Sequence, residues 1–238
     1  GLGLAAVYGT ALVPEYARTH LEQQEGRVAI EDIDLIARGQ LAVEDALALA
    51  DSGAVSIETF AQPGIPALMM INTEKAPTND LNVRKAMLLA VNQDELVATA
   101  FQSLGMPTYG VLSPSTWSYD EAASSQYRYN LEEAQRLLEE AGWVDTNGDG
   151  IREKDGANLT IDYPTSPVWE EAFSELLAGY LQNAGFEVTL RPMDDAGIVN
   201  ELGAGNYSMM YIYWVRADPS PLRVLFHSEN INGGAAYS

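Results

Sequence analysis

The chain is predicted to be α/β, a mixed β-sheet with flanking helices, and two observations lead there. Leu159-Thr160-Ile161-Asp162-Tyr163 and Phe186-Glu187-Val188-Thr189-Leu190 each alternate apolar and polar residues at the period of a strand. Between them Phe173, Leu176, Leu177, Tyr180, Leu181 and Ala184 recur on one helical face, with Gly185 as the stop. Strand, helix and strand at this spacing imply a parallel pair joined by a right-handed crossover. The second observation is a set of capped amphipathic helices elsewhere in the chain, each with one apolar stripe to lay against such a sheet.

Taken in order, residues 1–60 are poorly defined, with Ala-rich helical patches at Tyr16 to Gln24 and Gln40 to Ala50 separated by Gly26 and Gly39. Ile65 to Asn72 is a short apolar run bounded by Pro and a polar loop, which fits a buried strand better than a helix. Asn79 and Asp80 offer side-chain caps to one helix carrying Val83, Ala86, Met87, Ala90, Val91, Val97 and Phe101 at helical spacing. Arg84, at its start, is expected to pair with a nearby carboxylate. The next helix has Asn130 as its cap, Glu133 three residues on, Leu131, Ala134, Leu137, Leu138 and Ala141 as its stripe, and Gly142 as its end. The crossover helix is expected from about Val168, a short helix near Ile198 to Leu202, and a last strand over Tyr207 to Val215.

At 238 residues and 47% hydrophobic, the chain can bury a sizeable core as one large domain or two small ones. Thirteen basic against 34 acidic residues give a net charge of −21, which repels phosphate backbones and disfavours nucleic acid as a partner. The absence of Cys removes disulfides, thiolate metal sites and thiol nucleophiles. No apolar run approaches the roughly 18–20 residues of a membrane-spanning helix.

Catalytic chemistry finds little support. His20 and His227 are the only histidines, and neither has zinc-like spacing; each reads as a surface or capping side chain. There is no Gly-x-Ser-x-Gly elbow and no phosphate-cradling glycine loop. The adjacent carboxylates Glu132-Glu133, Glu139-Glu140, Glu170-Glu171 and Asp194-Asp195 splay around their helices instead of facing one another. No catalytic residue and no cofactor is assigned. The loop Asp145-x-Asn147-x-Asp149-Gly150 alternates oxygen ligands before a glycine as a calcium loop does, but its twelfth position is Gly156, where a bidentate Glu is required. It is therefore read as a metal-independent Asx and glycine turn, and no metal ligand is assigned.

Binding has a better footing. Tyr211-Ile212-Tyr213-Trp214-Val215-Arg216-Ala217-Asp218-Pro219 ends a strand in aromatic rings and then offers one guanidinium and one carboxylate in a Pro-stiffened loop. Ligands of open α/β sheets commonly sit beyond strand ends. Asp218 is either a ligand carboxylate or a turn residue ahead of Pro219 and Pro221. Trp117 and Tyr119, in the loop Pro107 to Tyr119, either line a cleft or pack as a satellite under that loop; the packing reading is favoured.

Four blocks in register carry a resemblance. They are Asn72 with Pro77, Asp80, Val83-Arg84 and Ala86; Tyr129-Asn130 with Ala134 and Leu137-Leu138-Glu139-Glu140-Ala141-Gly142-Trp143; Asp145-Thr146-Asn147-Gly148-Asp149-Gly150-Ile151; and Trp214 with Ala217-Asp218-Pro219. Together they resemble the family 5 extracellular solute-binding proteins, the oligopeptide, dipeptide and nickel receptors of bacterial ABC importers. The resemblance is firmest over 67–228. It implies one lobe of a two-lobed, class II periplasmic-binding-protein-like fold, so that residues 1–238 are read as a single lobe from the family's C-terminal half. It further implies a monomeric receptor outside the cytoplasmic membrane that captures a small solute, above all a short peptide, and delivers it to ABC permease subunits. An Asp shortly after a Trp in this block holds the ligand's α-ammonium in peptide-binding members, a role that the resemblance carries to Asp218, although one extra residue separates it from Trp214. Trp214, Arg216, Asp218, Trp117 and Tyr119 are the expected ligand-binding residues. The alternatives are a calcium-stabilised structural module and, third, a hydrolase.

Overall fold

The computed structural model describes residues 51–52, 62–101, 105–124, 126–166 and 171–227. The helical patches expected before residue 51, His20, Val168 and Glu170 lie outside them. The elements, in order, are β1 (Gly64–Ile71), α1 (Leu81–Ala90), α2 (Gln93–Ala100), α3 (Glu121–Ser124), α4 (Leu131–Glu140), β2 (Glu153–Lys154), β3 (Ala157–Asn158), β4 (Thr160–Thr165), α5 (Glu171–Ala184), β5 (Glu187–Pro192), α6 (Asp195–Ala204), β6 (Met209–Val215) and α7 (Ser220–Phe226).

The expected parallel unit is present: β4 and β5 run parallel from Thr160 opposite Glu187 to Thr165 opposite Pro192, with α5 as the crossover. β1 and β6 are antiparallel, from Gly64 opposite Val215 to Ile71 opposite Met209, with an irregularity between Ile65 and Leu68. Ser208 joins the two pairs. Its N–H donates to Asp162 O at 2.8 Å, its hydroxyl accepts from Asp162 N at 3.1 Å, and its carbonyl accepts from Asn72 N at 2.9 Å. The parallel β4/β5 pair and the antiparallel β1/β6 pair are thus two two-stranded sheets joined through Ser208, just ahead of β6, and β2 and β3 form a third, antiparallel pair.

Both faces of the β1/β6 pair are covered. Met69, Ile71, Met209 and Tyr211 face a large core built with Val83, Ala86, Met87, Leu138, Leu159, Ile161, Tyr163, Leu181 and Phe186. Met70 and Met210, one residue out of phase, pack with Tyr207, Leu68, Ile198, Leu202 and Ile212 on the side of α6. A strand covered on both faces has no polar side to display, which is why Ile65 to Ile71 reads as an unbroken apolar run. Phe101, Phe173 and Tyr211 extend the large core as a tilted and then edge-on series, with centroids 6.0 and 5.7 Å apart.

Three expectations need correction. The single helix over 83–101 is two: Val91 is extended, and Asn92 caps α2 by accepting from Glu95 N at 3.3 Å while donating to Glu95 Oε2. A local cap outcompetes one more turn of helix because it satisfies donors that the apolar period does not register. Of the two caps offered to α1, Asp80 serves, accepting from Asn82 N at 2.7 Å. Arg84 donates to the Thr78 carbonyl at 2.9 Å, holding the turn before α1, in place of the expected carboxylate partner. Asn130 caps α4 by accepting from Glu133 N, but the Asn130 N–H goes to Leu89 O on α1 and the Glu133 carboxylate to Arg136, so the reciprocal half of the box is absent. That bond to Leu89 ties α4 to α1 as they pack.

One ion cluster braces the sheet. Arg191 on β5 donates to both carboxylate oxygens of Asp162 on β4 at 2.6 and 2.9 Å, to Glu201 on α6 at 2.6 Å and to the Asn206 carbonyl at 2.8 Å. Two carboxylates raise the guanidinium pKa, the Asp162 bond contributing most and Glu201 next. The clamp fixes where the chain leaves α6 and enters β6.

Candidate functional site

β6 carries the predicted binding residues to the opposite end of the sheet, and a glycine sets their position. Gly64 has φ of +110°, and a Cβ there would stand 2.3 Å from the Trp214 carbonyl oxygen and 2.6 Å from Arg216 N. Only a residue without a side chain lets β1 start so close to the end of β6. The Arg216 N–H closes the pair by donating to Pro63 O at 3.1 Å.

The same glycine draws in the second predicted cluster. Gly64 N donates to the buried Thr116 hydroxyl at 2.8 Å, and Ser113 N donates to Gly64 O at 2.9 Å. The loop bearing Trp117 and Tyr119 and the strand end bearing Trp214, Arg216 and Asp218 are therefore anchored at one corner, although about a hundred residues separate them in sequence. Gly64 and Thr116 are the residues that sequence reasoning missed. The Pro63-Gly64 pair ahead of the strand was a visible punctuation signal, but nothing local announces its partners.

At this corner Trp214 is half-buried, and the exposed Arg216 guanidinium lies 5.8 Å from its ring centroid, in cation-π range. Asp218 is exposed, and its Oδ1 accepts from Ser220 N at 2.8 Å, an Asx turn that starts α7. The Ser220 hydroxyl, then its N–H, then the Arg216 charge hold the Asp218 carboxyl below the usual range, so it is anionic at neutral pH. Asp218 thus fills the turn role, and its charge remains at the surface. Trp117 is 77% exposed, which overturns satellite packing: the ring is not tucked beneath its loop. Its neighbour Thr116 is the residue buried there, because the hydroxyl is needed by Gly64. Tyr119 is half-buried in a shallow depression shared with Ser118, Asp120, Glu121 and Ala122. Val111 and Val215 are also exposed nearby along the same segments. The corner offers aromatic faces, one cation and one anion. His227 is the exposed C-cap of α7.

The loop after Trp143 is closed by its own side chains. Asp145 accepts from Gly148 N at 2.7 Å and Gly150 N at 3.0 Å, Asn147 from Asp149 N at 2.8 Å, and Asp149 from Ile151 N at 2.8 Å. These are the expected Asx turns. Glu153, at the ninth position, accepts from Thr146 N and its hydroxyl, both at 2.9 Å, and brings a third carboxylate within 4.8 Å of Asp145 and Asp149. Among the described residues, this is where a cation could be held. The twelfth position, Gly156, has no side chain to add. The helical carboxylates splay as expected: Glu139 turns to Arg152, while Glu133 and Glu140 turn to Arg136.

Comparison with known proteins bears on most of the chain. Residues 26–233 match the family described as bacterial extracellular solute-binding proteins, family 5 Middle. Among relatives, the oligopeptide-binding protein AppA of Bacillus subtilis is 28% identical over 163 residues, covering 66% of this chain and 30% of that protein. The nickel-binding periplasmic protein of Escherichia coli is 29% identical over 154 residues, covering 64% and 29%. In structure, a periplasmic oligopeptide-binding protein of an oligopeptide ABC transporter from Thermotoga maritima superposes with a TM-score of 0.72 at 20% identity, covering 89% of this chain and 44% of that one. The fold is therefore that of the periplasmic binding proteins. The chain spans about 30% of the length of the curated relatives it matches.

Proposed function

From the premise that this chain belongs to the family 5 bacterial extracellular solute-binding proteins, we propose that it is one lobe of the receptor of an ABC importer. The receptor works outside the cytoplasmic membrane, captures a small solute, a short peptide, and hands it to permease subunits. The family match carries the reading, and relatives named for oligopeptides and dipeptides favour a peptide over the nickel and heme named for others. No covalent step is required; the chemistry is desolvation and release.

The site proposed is the Gly64 corner. Trp214, Trp117 and Tyr119 supply flat apolar surface, Arg216 pairs with a ligand carboxylate, and Asp218 accepts from a ligand ammonium. What supports this placement is that three exposed apolar side chains, Val111, Trp117 and Val215, share the segments gathered at Gly64, a face that another part of the longer receptor would cover. Closure of two lobes would then trap the solute and signal the permease. By the same reasoning, these 238 residues alone bind weakly, because one open face buries much less than the roughly 70–90% of a ligand that a formed pocket encloses.

Mass spectrometry of the solute that co-purifies with the full-length receptor, followed by calorimetry with that solute, tests the proposal. Asp218→Ala and Trp214→Ala should each weaken binding by about tenfold or more. An unchanged dissociation constant in both variants would remove the corner from the ligand site, leaving Asp218 with its helix-starting turn alone.

A further inference from the structure

Asn147-Gly148 sits on the exposed loop, the one Asn-Gly dipeptide among the described residues, and the receptor reading does not use its chemistry. An asparagine followed by glycine can react with itself. The Gly N–H loses its proton, its nitrogen attacks the Asn Cγ, a C–N bond forms, and the former side-chain amide leaves as ammonia. Water then opens either C–N bond of the succinimide, giving aspartate or isoaspartate. Glycine favours this because no Cβ obstructs the attack, and at Gly148 nothing lies within 4 Å of where a Cβ would stand. Sterically the site is open, and water reaches it.

Hydrogen bonding holds it back. The nucleophile, Gly148 N–H, donates to Asp145 Oδ1 at 2.7 Å, so the proton that must leave faces a carboxylate, and the nitrogen anion that forms would face it too. That same N–H is the chief cause that lowers the Asp145 carboxyl pKa. The electrophile is pinned separately. Asn147 Oδ1 accepts from Asp149 N at 2.8 Å and Nδ2 donates to Asp149 Oδ2 at 3.0 Å. Turning the carboxamide back over Gly148 breaks both of these bonds, and freeing the nitrogen breaks the third.

We propose that Asn147 is a spontaneous deamidation site of this protein, held in check by Asp145 and Asp149. The product undoes its own restraint. A carboxylate at 147 would replace a donor 3.0 Å from Asp149 Oδ2 with a like charge, beside the carboxylates of Asp145 and Glu153. Isoaspartate adds a methylene to the backbone and shifts Asp149 off its Asx turn. Either product loosens the loop between Trp143 and β2.

The test is peptide mapping by mass spectrometry after incubation of the protein at mildly alkaline pH in chelator, following the 1 Da gain at Asn147. Native protein should deamidate about tenfold or more slowly than the same chain in urea, the size of one charge-assisted hydrogen bond. Asp145→Ala, checked for an unchanged far-UV spectrum, should remove most of that protection, and Asp149→Ala part of it. Equal rates in native buffer and urea would overturn the proposal. So would a folded Asp145→Ala protein that deamidates at the native rate. Should Asp145→Ala fail to fold, the native and urea comparison on the unaltered chain decides.

Discussion

Leu138 is fully buried where α4 packs on α1, inside the large core shared with Val83, Ala86, Met87 and Leu159. Replacing it with alanine removes three carbons, a transfer term of about 2.4 kcal/mol at about 0.8 per methylene. The site cannot collapse easily, because α4 is fixed at both ends: the Asn130 N–H is bonded to Leu89 O at its start, and Trp143 N–H to Leu138 O at its finish. A residual cavity therefore adds to the transfer term, for a total of about 3–5 kcal/mol. In a chain of this size that is a fall in melting temperature of about 6–20 °C. Circular dichroism melts and urea titration would measure it, with Leu88→Ala on α1, 40% exposed, as the control expected to stay within about 1 kcal/mol. A Leu138→Ala loss no larger than that of Leu88→Ala would refute the packing of α4 on α1 described above.

Three further expectations can be checked on the same protein. Gly64→Ala should cost about 1–3 kcal/mol from its backbone conformation alone and should shift the tryptophan emission as the end of β6 moves; a protein with wild-type melting and emission would show that the corner is not set by this glycine. Asp145 has a folded pKa lowered mainly by the Gly148 N–H, so its contribution is complete above the ordinary carboxylate value near 4 and is lost as the pH falls through the lower folded value. The melting difference between wild type and Asp145→Asn should hold steady from pH 7 to about 5 and shrink below about 4, and a difference that persists to pH 2 would contradict that assignment. Millimolar calcium should leave the melting temperature unchanged, since the twelfth loop position is Gly156; a rise of several degrees, abolished by Asp149→Ala, would make Asp145, Asp149 and Glu153 a cation site.

Much of the architecture was legible because its signals are local. The alternation at Leu159 to Tyr163 and Phe186 to Leu190, the stripe on α5, and the caps Asp80 and Asn130 all act within a few residues of themselves. The break at Val91 was legible too, in Asn92 and Glu95, but the apolar period running through it masked the cap. Arg84 was misjudged because a nearby carboxylate and a backbone carbonyl satisfy a guanidinium equally well, and only the folded turn selects Thr78.

The sequence by itself determined the α/β class, the family blocks and a last strand that runs into Trp214 ahead of Asp218, because period, capping and turn chemistry are properties of neighbouring residues. Tertiary structure alone decided what those residues meet. Gly64 gathers Thr116 and Trp214 across about a hundred residues of sequence, Ser208 joins the two strand pairs, and Glu153 reaches Asp145 across the loop. None of these pairings has a sequence period, since each depends on how the strands are stacked, and that order is set by burying both faces of β1 and β6 at once.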